Sequence, residues 1–233
     1  MPYEFHFTYS DAMLLVIIAA VLGMIAQGAV QSTFRRFSRV AARSGVTAAQ
    51  AAQMVMNSQG VYDVAIGRVR GNLTDHYNPK NRTLQLSESV YDSNSIAALG
   101  VAAHEAGHAI QDAQSYAPMR IRAALVPVAN IGSSAAIPLF MLGLIFSWQP
   151  LLKIGILCFA LAVLFYLVTL PVEFNASNRA VALLGSGLLP DDEVQGVKKV
   201  LSAAALTYVA AALQALLQLL RLVILAGGRR RDD

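Results

Sequence analysis

Residues 96–111 read IAALGVAAHEAGHAIQ. This stretch joins an Ala-rich, helix-forming run to a His-Glu-x-x-His pattern at His104, Glu105 and His108. Residues four apart on a helix share a face, so both imidazoles can reach one metal ion at zinc–nitrogen distances of about 2.0–2.1 Å. Glu105 then lies beside that ion, where it can take a proton from water. Metal-assisted peptide hydrolysis uses this set. Two histidines in an apolar helix can also be satisfied core residues. The chain has only 4 His and puts two of them here, which favours a metal site.

Outward from this helix the chain is too apolar for an ordinary soluble domain. It is 56% hydrophobic over 233 residues, with a mean hydropathy of +0.51. The excess is concentrated in three uncharged stretches, residues 13–30, 123–147 and 154–172. Each is long enough, as a helix, to cross a hydrocarbon core about 30 Å thick. The expected fold is a mostly α membrane protein with a small cytoplasmic α+β catalytic domain. The single cysteine, Cys158, lies in the third stretch. No intrachain disulfide can form, and a thiol there acts as a small hydrophobe.

Charge orients the chain. Residues 1–12 carry Glu4 and Asp11 but no Lys or Arg, unlike the basic start of a secretory signal. Arg35, Arg36, Arg39 and Arg43 follow the first apolar stretch, and Arg120 and Arg122 precede the second. The positive-inside bias then puts the intervening segment in the cytoplasm and the N-terminus outside. The formal net charge of +4 reflects topology. The basic residues hug span ends without interleaved aromatics, a pattern that does not suit nucleic acid.

Within the intervening segment, Thr47 is a plausible N-cap for a helix over 47–57, closed at Ser58, Gln59 and Gly60. Residues 61–69 alternate as a strand does. Asn78, Pro79, Lys80 and Asn81 signal a turn. Residues 83–86 read as a short strand at a sheet edge, where an extended peptide could add.

The second and third apolar stretches form a helical hairpin around Trp148, Gln149 and Pro150. Pro127 and Pro138 are expected to kink the second stretch. The third continues beyond Pro171, so Glu173 returns to the same side as His104 and His108. Residues 200–225 are apolar but interrupted, with Gln214, Gln218 and Arg221 on one helical face. A crossing would leave Arg229, Arg230 and Arg231 outside, against the charge bias. A cytoplasmic or interfacial helix is expected there, with a fourth crossing as the alternative. The domain boundaries expected are an anchor at 1–30, a catalytic segment at 31–122, a membrane hairpin at 123–172 and a helical segment at 173–233.

A catalytic zinc takes three protein ligands and leaves one position open. Glu173 is the best third ligand, and Asp112 is a weaker rival one turn beyond the motif. His6 falls on the outer side. A second donor to the oxyanion is open among His76, Tyr77 and Arg179. Asn175 and Ser177 either help position the site or, the favoured reading, are polar residues of the helix surface.

Together with residues 104–108, the segments LTDHYNP (73–79) and PVEFNASNRA (171–180) resemble the bacterial neutral zinc metallopeptidases of the YugP-like membrane-protease family. The resemblance covers nearly the whole chain and includes LTYVA (206–210). More distantly the chain is similar to HtpX-like proteases, which also set a membrane hairpin between the His-Glu-x-x-His helix and a glutamate ligand. The resemblance implies a zincin-like domain, Zn2+ at His104, His108 and Glu173, and a catalytic Glu105. Two positions depart from the pattern. Asn175 stands where family members commonly carry Asp, and Ser177 stands where HtpX-like proteases carry an acidic residue.

Three function classes compete. The first is a membrane-anchored zinc endopeptidase acting on peptides or membrane proteins at the cytoplasmic surface of the plasma membrane. The second is a site-2-type intramembrane protease, which needs an Asp-Gly ligand motif; the chain has no Asp-Gly pair. The third is a metal-bearing membrane scaffold, which would have no use for Glu105.

Overall fold

The computed structural model describes residues 9–228. Readings that rest on Glu4, His6 and Arg229 to Arg231 lie outside them. The elements in order are α1 (Tyr9–Phe37), α2 (Ala48–Ser58), β1 (Ala65–Val69), β2 (His76–Asn78), β3 (Thr83–Ser87), α3 (Ile96–Ala113), α4 (Ala117–Ile145), α5 (Gln149–Gly185) and α6 (Asp191–Gly228). The protein is a mostly α membrane protein with a small α+β part. Among the described residues α1, α4, α5 and α6 are long and apolar enough to cross a membrane.

The chain divides into two compact units. One holds α1 up to Ile25, Ile121–Leu170 and α6 from Thr207 onward. Its α4–α5 hairpin is packed through glycines. A Cβ on Gly132 would stand 2.7 Å from the Cys158 carbonyl oxygen, and one on Gly155 2.9 Å from that of Ala136. Between apolar helices in lipid, such close backbone approach replaces the missing hydrophobic drive. Phe140, Leu152 and Leu222 form a buried cluster in this unit, so α6 packs there as well. The prolines expected to kink the second stretch, Pro127 and Pro138, lie inside α4, which continues past them, and α5 likewise continues past Pro171.

The other unit holds Ala26–Arg120 and Pro171–Leu206. α2 starts at the expected cap: Thr47 Oγ1 accepts from Gln50 N at 3.3 Å and Gln50 Oε1 accepts from Thr47 N at 2.9 Å, a reciprocal capping box. Ser95 caps α3 by its side chain alone, accepting from Ala98 N at 3.2 Å. Ala51, Ala52, Val55 and Met56 of α2 pack with Leu99, Ala102, Ala106 and Ile110 of α3 in one buried core, joined by Leu84 and Leu86 of β3. Small alanines on both helices let the axes come close and leave room for the sheet.

The sheet corrects one expectation. Its strand order is β1-β3-β2, with β1 parallel and β2 antiparallel to β3. β3 is therefore central and cannot accept an added strand. Leu84 and Leu86 are fully buried, as a central strand's inner face requires. The two edges are β1 and β2; β2 is only three residues long and ends before Pro79 and its missing N–H. The strand expected over 61–69 begins at Ala65.

Candidate metal centre

α3 is an 18-residue helix buried on most of its circumference. Its His-Glu-Ala-Gly-His turn faces the part of α5 beyond Pro171. Gly107 makes that approach possible, since a Cβ there would stand 2.8 Å from the Ala176 carbonyl oxygen. The backbones meet one turn past Glu173, which brings its carboxylate to the histidine pair.

His104 Nε2 lies 3.2 Å and His108 Nε2 3.5 Å from Glu173 Oε2. The two rings stand edge to face, with centroids 4.8 Å apart. One ligand atom from each of the three residues falls within 4.8 Å of the others. Glu173 is 3% exposed, and a buried carboxylate needs a cation or full hydrogen bonding to stay charged. Two imidazoles and one carboxylate are a donor set suited to zinc. The residues present thus fit the ion in type, number and convergence.

The outer nitrogens of both rings are also partnered. His104 Nδ1 lies 3.1 Å from Ser177 Oγ, and His108 Nδ1 lies 2.9 Å from Gln111 Oε1. Around His108 the proton positions follow from the network. Arg179 Nε donates to Asn175 Oδ1 at 2.8 Å. Gln111 Nε2 donates to that same oxygen at 2.9 Å and to the Val172 carbonyl at 2.8 Å. Gln111 Oε1 is left to accept, so His108 Nδ1 carries the proton and its Nε2 turns a lone pair toward Glu173. A metal-binding histidine needs that tautomer. Gln111 is fully buried. The sequence reading missed it, although a polar residue three positions past the second histidine on an otherwise apolar helix face was a visible signal.

Glu105 is held separately. Its Oε2 accepts the Tyr77 N–H at 3.0 Å, a donor on the side of β2 away from β3. Asp75 sets that strand, accepting from Ser87 N at 2.7 Å and Ser87 Oγ at 3.0 Å; burial pushes its carboxyl up from the usual range.

The remaining candidates sort by their partners. The Tyr77 hydroxyl donates to Asp112 Oδ2 at 2.8 Å. Burial and then this bond push it up to about 12, so it stays a donor committed to Asp112. Asp112 is not in the cluster that brings His104, His108 and Glu173 together. Arg179 is engaged by Asn175 and by Gln114 Oε1, the latter at 2.7 Å. His76 is exposed, with Nδ1 2.9 Å from the Thr74 carbonyl. Asn175 and Ser177, favoured as surface residues, instead support the two histidines.

The chain belongs to the neutral zinc metallopeptidases: the family model described as "Putative neutral zinc metallopeptidase" matches residues 12–227. It is also similar to "Putative membrane protease YugP" of Bacillus subtilis (strain 168), at 48% identity over 212 residues, 91% of this chain and 94% of that protein. No solved structure matches the chain.

Proposed function

We propose that this protein is a zinc endopeptidase of the bacterial plasma membrane whose catalytic unit works at the cytoplasmic surface. In this proposal His104, His108 and Glu173 hold the ion and Glu105 is the general base and acid. The observation that carries it is the convergence of two Nε2 atoms and a buried carboxylate oxygen beside a carboxylate fixed by a strand-edge N–H. Zinc, when bound, supplies Lewis acidity that polarises a scissile carbonyl and acidifies water. Glu105 takes the proton of the attacking water and returns it to the leaving amine. Its Tyr77 bond keeps one oxygen anchored and leaves the other to work.

The intramembrane alternative has less support. α3 is not among the four helices long and apolar enough to cross. For α6 from Thr207 onward we propose a fourth crossing in place of an interfacial position. Its length, its composition and the exposed Val209, Leu213 and Leu220 support this.

Membrane vesicles of defined orientation test the function and its sidedness together. In inside-out vesicles an added unfolded polypeptide should be cut, 1,10-phenanthroline should stop the cutting, and zinc should restore it. Sealed right-side-out vesicles should leave the substrate intact. Cleavage only in the right-side-out preparation would reverse the topology, and cleavage indifferent to chelator would remove the metal. A cysteine placed after Arg231 should be labelled from the outside if α6 crosses.

Gln111 offers a second check, read by metal affinity rather than turnover. Gln111→Leu removes the acceptor that sets the His108 tautomer and is expected to weaken zinc about 10–100-fold, the usual range for outer-shell partners. Gln111→Glu keeps that acceptor and should retain more zinc. It should also lower the melting temperature, because a carboxylate then faces the Val172 carbonyl and Asn175 Oδ1. Equal zinc affinity in all three proteins would remove Gln111 from the site.

A further inference from the structure

A cavity of about 580 Å³ opens between the ends of α1 and α6 that belong to the catalytic unit. That size lies in the range of small-molecule sites. Arg36, Lys198 and Lys199 line it, together with the polar side chains of Thr33, Gln195 and Ser202. Phe37, Ala203 and Leu206 supply an apolar part of the wall. The two helices meet tightly at one end of it, where a Cβ on Gly196 would stand 3.0 Å from the Phe37 ring.

The charge balance of this cavity is unusual. α6 opens with Asp191, Asp192 and Glu193, the acidic residues nearest to Lys198 and Lys199 in the sequence. Arg43 takes two of them, Asp192 through its Nη2 and Glu193 through its Nε at 2.9 Å. Glu193 is 5% exposed and so is held away from solvent. Among the described residues, Arg36, Lys198 and Lys199 have no acidic partner; Arg36 instead stacks over Phe37 at 5.5 Å. Three uncompensated cations around one cavity call for an anion.

The place along the helices narrows its chemistry. Arg36 follows the uncharged stretch of α1, and Lys198 and Lys199 precede that of α6. Leu206, in the cavity wall, is 53% exposed. Cations at one end and an exposed leucine at the other, at the boundary of two membrane-spanning candidates, suit a ligand with a phosphodiester head and an acyl tail. Basic pockets at such helix ends are known to receive lipid head groups. We propose that this cavity binds the phosphodiester head group of an anionic phospholipid from the adjoining leaflet, with Lys198, Lys199 and Arg36 on the phosphate and Leu206 against the first acyl carbons.

The full-length protein in nanodiscs of phosphatidylglycerol and phosphatidylcholine, released into a native mass spectrometer, gives the test. Phosphatidylglycerol should be retained in preference. At about fivefold per cation near a membrane surface, the pair Lys198→Gln and Lys199→Gln should lower retention about 25-fold. The pair Arg35→Gln and Arg39→Gln removes the same charge outside the cavity and should change retention little. Ser202→Trp fills the cavity with no change of charge and should also lose the lipid. All the substituted positions are exposed, and matching melting temperatures will confirm folding. Equal losses from the two Gln pairs would mean diffuse charge attraction and overturn the site. Full retention in Ser202→Trp would overturn it too. Displacement of the lipid by inorganic phosphate would give the cavity to a free anion and end the lipid assignment.

Discussion

Glu105→Gln is expected to keep zinc and to lose about a hundred- to ten-thousand-fold in kcat, the usual contribution of a positioned general acid–base. The substitution is close to isosteric. The amide oxygen it introduces can still accept the Tyr77 N–H that Glu105 Oε2 accepts at 3.0 Å, so β2 and α3 keep their relation. Glu105 is not among the three residues whose ligand atoms converge, so metal content should not change. What disappears is the capacity to accept a proton at neutral pH. Metal analysis and a peptide-cleavage assay on the same preparation read both outcomes. A zinc-loaded variant that still cuts at close to the parent rate would show that the proton goes elsewhere.

Glu173→Ala should have the largest effect on the metal itself. It removes the one carboxylate between two imidazoles, from a position 3% exposed. Two histidines remain where a catalytic zinc takes three protein ligands. Zinc affinity should fall by more than the roughly 10–100-fold of an outer-shell loss. Glu173→Asp should recover part of it, since the charge returns but the shorter side chain draws the oxygen back toward α5. Asp112→Ala supplies the contrast. Its carboxylate is engaged by the Tyr77 hydroxyl at 2.8 Å, so zinc should stay while the fold loses a hydrogen bond. Competition against a chromophoric chelator ranks the four proteins. If Asp112→Ala strips the metal and Glu173→Ala does not, the ligand set is wrong, and so is assembly of the site by the return of α5.

The two outcomes separate parts of the proposed mechanism. Glu105→Gln addresses proton transfer with the metal site intact, and Glu173→Ala addresses the metal site before any chemistry. The lipid cavity depends on neither, since Arg36, Lys198 and Lys199 are not in the metal cluster.

Local signals in the sequence determined a good deal. The i, i+4 spacing of His104 and His108, the capping box at Thr47 and the uncharged stretches are properties of neighbouring residues. Helical periodicity or lipid thickness translates each directly into structure. Even Glu173 was within reach, because a hairpin must return the chain to the side it left. The tertiary structure alone decided what depends on one element meeting another far along the chain. β2 is too short to carry its own periodicity, yet its pairing made β3 central and turned the Tyr77 N–H toward Glu105. Gly107 looked like a neutral spacer in the motif, but its missing Cβ lets the Ala176 carbonyl approach. Gln111, Asn175 and Ser177 have no local pattern that distinguishes a support of the histidines from a polar surface. Their roles arise where α3 and α5 come into contact, across more than sixty residues of intervening chain.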